Sequence, residues 1–290
     1  MWQMIAAFLI LCWVSAVSAS YKPTTLFYDV SWGNISLAKS QLDYEFGKDD
    51  VRISASVASK GIIAFFRGFK SRSTAELVRK DTGWAPKKLS MERISGSEVV
   101  KSNVIWGDAA TIVSENRTPE LDLTEVYPLD DQMRVNVIDP YSAVFRLLDQ
   151  IENSGDCTSS YEIYDGRRRS RIYFEMIGDT VLEQDRPGVF TGSAMVCGVK
   201  FDLIGGHRIN SKWRSNKNPK GWIKIFFARP LEGYIVPVRI EMKSRIGKII
   251  GRLDLRQMQV GSNRLVGGRR AGCRYFSLSL FSQCLLHDIG

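Results

Sequence analysis

From Thr25 onward, apolar and polar side chains take turns along the chain. Leu26, Tyr28, Val30 and Trp32 alternate with Phe27, Asp29 and Ser31, and Gly33-Asn34 then turns the chain. Leu42, Tyr44 and Phe46 alternate with Gln41, Asp43 and Glu45, and Val51, Ile53, Ala55 and Val57 alternate with Arg52, Ser54 and Ser56. A period of two sends successive side chains to opposite faces of a strand, so each segment reads as a strand with one wet and one dry face. The apolar stretch Gly61–Phe66 interrupts this pattern and predicts a short helix or an apolar crossing. Strands are expected again at residues 72–79, 88–93, 98–106 and 110–114, and later at 194–203, 222–228, 235–243 and 248–258. Residues 115–137, with Pro119 and Pro128, read as a long loop. Nothing alternates strand with helix, so antiparallel hairpins are expected in place of βαβ units.

One helix is well marked. Asp139 suits an N-cap, Pro140 suits the first helical position, and Ser154-Gly155 suits the end. Val144, Leu147, Leu148 and Ile151 recur at the spacing of a single apolar stripe. Further on, Tyr161-Glu162-Ile163-Tyr164, then Asp165-Gly166, then residues 167–174 predict a hairpin whose Asp-Gly pair supplies the positive-φ turn. The expected fold class is mainly β: a long curled antiparallel sheet, a β-spiral or half-open barrel, with one amphipathic helix packed at it. The dry-face rings Tyr28, Trp32, Tyr44, Trp106 and Phe174 then either fill a core with that helix or wall a groove for an acyl chain. Of the two, the filled core is favoured.

Residues 1–19 differ from the rest of the chain. They carry no charged side chain, run apolar from Met4 to Val14, and end in Ser15-Ala16-Val17-Ser18-Ala19. Small residues at Val17 and Ala19 fit a signal-peptidase pocket, and the apolar core is short for a membrane span. The expected division is a signal peptide at 1–19, one β-rich periplasmic domain at 20–260, and an atypical tail at 261–290. Because the leader holds no charge, the mature chain keeps the net +9 of the whole. A basic exported protein meets anionic lipid headgroups, lipopolysaccharide phosphates or acidic glycans, while export argues against nucleic acid. Four cysteines follow the leader, and an oxidising compartment favours pairing them. No C-x-x-C occurs, so no zinc ribbon or thioredoxin-like site is expected. Cys157 and Cys197, both in strand-like segments, are expected to form a disulfide; Cys273 and Cys284 lie in the tail and either pair with each other or stay free.

Candidate chemistry is sparse. The histidines are His207 and His287, and there is no G-x-S-x-G elbow, H-E-x-x-H helix or Walker loop. Ser36-Leu37-Ala38-Lys39 matches S-x-x-K but sits in a strand, without the helix that presents such a serine. Asp29, Asp43, Glu45 and Glu162 read as a solvated outer face. No catalytic residue, metal site or cofactor is expected. Two basic features stand out. From His207 to Lys224 there is no acidic residue, and His207, Arg208, Lys212, Trp213, Arg214 and Lys217 form a candidate rim for an anionic ligand or lipid. Cations beside indoles suit a headgroup boundary, though a lysine-rich surface loop has the same composition. Arg167, Arg168 and Arg169 form a basic hairpin, either a second anionic site or a charged edge that keeps other strands away.

Taken in order, Tyr28-Asp29-Val30-Ser31-Trp32-Gly33, Asp139-Pro140-Tyr141-Ser142-Ala143, Cys157, Tyr164-Asp165-Gly166-Arg167-Arg168-Arg169, and Cys197 leading into Ile204-Gly205-Gly206-His207 make a pattern. Over residues 24–258 the chain resembles the bacterial exported domains known as domain of unknown function 3108. The resemblance implies a periplasmic β-rich spiral or half-open barrel and brings no activity or catalytic residues with it. The tail after Gly261 departs from that pattern. The function expected is that of a non-enzymatic periplasmic envelope protein, binding a protein or lipid partner in cell-envelope maintenance. A lipid or lipopolysaccharide carrier with an apolar groove is the alternative, and a hydrolase is a distant one.

Overall fold

The structure, a computed structural model, describes residues 24–66, 68–210, 223–231, 234–244 and 247–261. The expected alternation produces two antiparallel meanders. The first comprises β1 (Thr24–Trp32), β2 (Ile35–Phe46), β3 (Asp50–Ser59), β4 (Phe69–Lys80), β5 (Gly83–Ser95), β6 (Glu98–Trp106) and β7 (Ile112–Thr118). The second comprises β8 (Ser159–Tyr164), β9 (Arg169–Leu182), β10 (Gly192–Gly205), β11 (Ile223–Leu231), β12 (Tyr234–Ser244) and β13 (Gly247–Leu253). β1 pairs antiparallel with β13, from Tyr28 opposite Leu253 to Trp32 opposite Ile249, and β14 (Gln259–Val260) joins the start of β1. Among the described residues the result is a 14-stranded sheet with β7 and β8 at its edges. Among the described residues two α-helices accompany it, α1 (Gly61–Phe66) after β3 and α2 (Pro140–Ser154) before β8.

The dry face of the sheet packs around α2. Leu26, Tyr28, Leu42, Tyr44, Ile53, Leu77 and Trp106 are buried with Phe145 of the helix in one cluster. Phe145 meets Tyr44 and Trp84 edge-on, with ring centroids 5.6 and 5.4 Å away, the geometry that aromatic quadrupoles favour. Ala143, Leu147 and Ile151 face a second cluster with Ile163, Ile172, Phe174, Phe201 and Phe227. The helix begins where the sequence places it. The buried Asp139 carboxylate accepts the N–H groups of Tyr141 and Ser142 and the Ser142 hydroxyl, and Gly155, at φ +67°, ends the helix by donating its N–H to the Ile151 carbonyl. The rings thus fill a core together with α2.

Several expectations need correction. Trp32 is only half-buried, because a bulge between Val30 and Ser31 shifts the register and puts Ser31, not Trp32, on the dry side. The buried stripe of α2 includes Ala143 and Phe145, while Val144 and Leu148 are only partly covered, since the helix has sheet on more than one side. β7 runs on to Thr118, so the connecting loop starts later than expected. The strand expected at residues 248–258 ends at Leu253; Asp254 then accepts the Gln257 N–H, which turns the chain into β14. The turn between β8 and β9 takes four residues: Gly166 supplies φ +85°, and Asp165 donates its N–H to the Arg168 carbonyl.

Because β7 and β8 do not pair with each other, the sheet curls without closing. Backbone at Val137 and Ile138 fills the gap. Ile138 bridges Ile163 in parallel fashion, donating its N–H to Glu162 and accepting that of Tyr164. On the other side, Val137 donates to the Ala110 carbonyl and accepts the Trp106 indole N–H at 2.9 Å. The Tyr164 hydroxyl donates to Glu115 of β7 at 2.6 Å. Far from this seam, the loop between β9 and β10 folds across the sheet. There Asp185 binds Arg252 and Arg239, and Arg186 donates to Asp29 and to the Gly33 carbonyl.

Cys157 and Cys197 are disulfide-bonded, 40 residues apart in sequence with Cα atoms 6.3 Å apart. Cys157 lies just ahead of β8 and not within a strand. Cross-linking a loop of this size restricts the unfolded chain by about 4 kcal/mol in the chain-entropy model. Urea unfolding of the Cys157→Ser, Cys197→Ser double variant is expected to show a loss of that order, and an unchanged midpoint would contradict it. A second prediction concerns Asp139, whose carboxyl is pushed up to about 6 by burial, against the hydrogen bonds from Ser142 and Tyr141. The folded state therefore keeps a proton that the unfolded chain releases, and this group's contribution to stability falls as pH rises from about 4 to about 6. Asparagine caps a helix without ionising. Relative to Asp139→Asn, the wild type should lose on the order of 3 kcal/mol across that window in urea titrations, whereas a pH-independent difference would refute the assignment.

Candidate functional site

The candidate rim is only partly within the described residues. Lys212, Trp213, Arg214 and Lys217 lie outside them. His207 and Arg208 follow β10 and pair with the loop after β7. Tyr127 donates its N–H to the His207 carbonyl, Val126 bridges Arg208, and Ile209 donates to Glu125. The His207 ring stacks on Tyr127 with centroids 4.4 Å apart. This histidine is therefore built into a loop-to-loop contact at the end of β10.

The basic hairpin does not project freely into solvent. Arg168 is buried, and its guanidinium pairs with the buried Asp165 carboxylate at 2.9 Å. Asp165 also accepts the Arg167 and Arg168 backbone N–H groups. Burial alone would raise the Asp165 carboxyl, but Arg168 and Arg167 outweigh it and hold the group below its ordinary range. Arg169 and Arg171 both bind Glu162 across the hairpin. Glu162 is therefore paired, as are Asp29, through Arg186 and Ser36, and Asp43, through Thr25 and Gln41. The outer carboxylates expected to form a solvated face are mostly held by specific partners.

One feature of the outer face was not anticipated. Asp29 stands opposite Lys39, Lys39 opposite Ala58, and Ala58 opposite Lys70, so the four form a row across β1, β2, β3 and β4. This row lies on the face turned away from the core. With Phe27, Lys60 and Gln257 it lines a depression of about 570 Å³. The carboxylates there are engaged by arginines, Asp29 with Arg186 and Asp254 with Arg256, which leaves the lysines in excess. Partial burial, then the neighbouring Lys39 ammonium, lowers the Lys60 pKa. α1 starts directly after Lys60, and its Phe65 is 84% exposed. The alternation does place Lys39 outward, but only cross-strand register brings Lys39 and Lys70 together. A second depression, of about 700 Å³, lies beside α2. Its Arg79 and Asp149 pair with each other, and Arg146 donates to the Trp84 carbonyl, so its charges are largely matched internally.

Among the described residues no group of three or more His, Cys, Asp and Glu side chains is arranged to hold a metal ion. No curated protein matches the chain. A crystal structure of a β-barrel-like protein of domain of unknown function DUF1849 from Brucella abortus is similar at 12% identity. That similarity has a TM-score of 0.47 and covers 83% of this chain and 99% of that chain. A family model described as protein of unknown function (DUF3108) matches residues 27–255. The match reaches from β1 through both meanders and α2 to the turn after β13, and the chain belongs to the DUF3108 family.

Proposed function

We propose that this protein is a non-enzymatic component of the bacterial cell envelope, working outside the cytoplasm, and that its partner is an anionic lipid. The reading is carried by the outer depression, where Lys39, Lys60 and Lys70 surround an apolar patch of Phe27 and Ala58, and by the exposed Phe65 of the helix that follows Lys60. An amphiphile with a negative headgroup matches both halves of that surface: the lysines attract the head, and the rings accept the upper acyl chain. The net charge of +9 draws the protein toward such surfaces from a distance. The apolar leader ending at Ala19 and the Cys157–Cys197 disulfide support an oxidising location beyond the inner membrane. Since the core is filled by α2 and its surrounding rings, the lipid is bound at the surface and not swallowed by the barrel. A protein partner is the second reading. It is favoured by the side of β7 that pairs with no strand among the described residues, an edge with Val113 64% exposed, where an extended peptide could add to the sheet.

Flotation with phosphatidylglycerol-containing vesicles tests the lipid reading. The wild type is expected to float with them and not with purely zwitterionic vesicles. A Lys39→Gln, Lys60→Gln double variant should bind about 30-fold more weakly, at about 1 kcal/mol per lysine near the surface. Equal binding to both kinds of vesicle, or none, would overturn it. The export reading is tested separately by mass spectrometry of protein recovered from fractionated cells. The mature chain is expected to begin at Ser20 and to appear in the periplasmic fraction; recovery of the intact leader from the cytoplasm would refute export.

A further inference from the structure

Arg93, Arg117 and Arg167 come from three separate elements and converge on one small hollow at the seam. Strand register accounts for the first two. Met91 of β5 stands opposite Ser102 of β6, Ser102 opposite Arg117 of β7, and Arg93 opposite Val100. These residues share a face, and it is the face that carries the buried Val100, Ser102 and Val104. Arg93 and Arg117 therefore lie on the core side of the sheet, where apolar residues are the rule. Arg167 arrives from the opposite direction, on the turn between β8 and β9.

That turn is wedged into place. A Cβ on Gly166 would lie 2.3 Å from the Ser102 hydroxyl, and one on Gly206 would lie 1.8 Å from the Arg167 carbonyl oxygen. The Ser102 side chain against Gly166 and the Gly206 backbone against the Arg167 carbonyl thus fix where Arg167 begins. The hollow enclosed by the arginines, Met91, Val100 and Ser102 measures about 30 Å³ and is partly open to solvent.

The charges around it do not balance. Asp165 also lines the hollow, but its oxygens are taken by Arg168 and by the backbone of the turn. Glu98 reaches Arg93 at 3.4 Å from an exposed position. The Nε groups of Arg117 and Arg167 are buried and have no hydrogen-bond partner among the described residues. Burial, then the Arg168 charge, pushes the Arg167 pKa down to about 10; burial, then Arg93, lowers that of Arg117. Buried donors without acceptors are rare in native proteins and are most often completed by an ion or a water. Inward charges can also serve to keep foreign strands off a sheet edge. That role does not call for two buried donors left unmade on arginines that line a shared hollow.

We propose that this hollow binds an oxyanion of the phosphate type. Guanidinium forks match oxyanions in paired hydrogen bonds, and three of them supply more donors than the two oxygens of a carboxylate can take up. A single water needs roughly 10–15 Å³ of such space, so the hollow holds one small oxyanion group and no larger body. Its open side lets that group arrive either as a free ion or as the phosphate of a lipid headgroup. The site shares no residue with the lysine depression and does not rest on it.

Isothermal titration of the whole protein with sodium phosphate, against sodium chloride at equal ionic strength, tests the free ion. Flotation with phosphatidic acid vesicles tests the headgroup. Saturable phosphate binding, weakened about tenfold or more in Arg117→Gln and in Arg167→Gln, supports the site with a free anion as ligand. Vesicle binding alone, weakened about tenfold in those variants and unchanged in Lys87→Gln, an exposed lysine of β5 that lines neither this hollow nor the lysine depression, supports it with a headgroup as ligand. No binding in either arm, or binding unchanged by both arginine variants, overturns the proposal. Should the variants fail to fold, phosphorus NMR of inorganic phosphate and glycerol phosphate with the wild type decides: broadening of either resonance relative to a chloride-matched lysozyme control supports the site, and no broadening of either overturns it.

Discussion

Two backbone hydrogen bonds, from Ile138 to Glu162 and from Tyr164 to Ile138, answer the main physical problem of this fold. A long antiparallel sheet that curls without closing ends in two rows of unpaired N–H and C=O groups. Here one edge is satisfied by a stretch of chain too short to be a strand, whose neighbour Val137 also reaches across to Ala110 and Trp106. The next residue, Asp139, caps α2, so the segment that bridges the edges also aims the helix into the interior. Edge satisfaction, helix placement and core filling therefore depend on the same three consecutive residues.

The parts of the fold governed by local chemistry were legible in the sequence. The Asp139-Pro140 start and Gly155 end of α2, the Asp165-Gly166 turn, and the strands from Leu26 to Val57 all follow from cap preferences, positive-φ turns and period-two alternation. What escaped depends on register or on distant neighbours. A single bulge turned Trp32 away from the core, and nothing in the composition of Val30-Ser31-Trp32 announces it. Arg117 falls in the 115–137 segment that Pro119 and Pro128 mark as a loop, and pairing with β6 overrides that local signal. The lysine row is invisible for a related reason: Lys39 and Lys70 are 31 positions apart in sequence and become neighbours only through the β2–β3–β4 register.

The basic residues illustrate how misleading a linear run of charge can be. Arg167, Arg168 and Arg169 look alike in sequence, yet each has a different fate. Arg168 neutralises a buried carboxylate inside its own turn, Arg169 ties the two strands of the hairpin through Glu162, and Arg167 faces the seam with other arginines. Alternation along the strand and the tight four-residue turn sort them. The functional weight of a basic cluster here lies in which charges remain unmatched after folding, and that is a property of the assembled wall.

The Cys157–Cys197 bond gives the closure an asymmetry. It rivets the entry to β8 onto β10, past the intervening β9, whereas β7 on the facing lip pairs with β6 and meets β8 only through the Tyr164–Glu115 side-chain hydrogen bond. Widening the wall would therefore work like a door with a fixed jamb: the first meander swings, and the second stays as the frame.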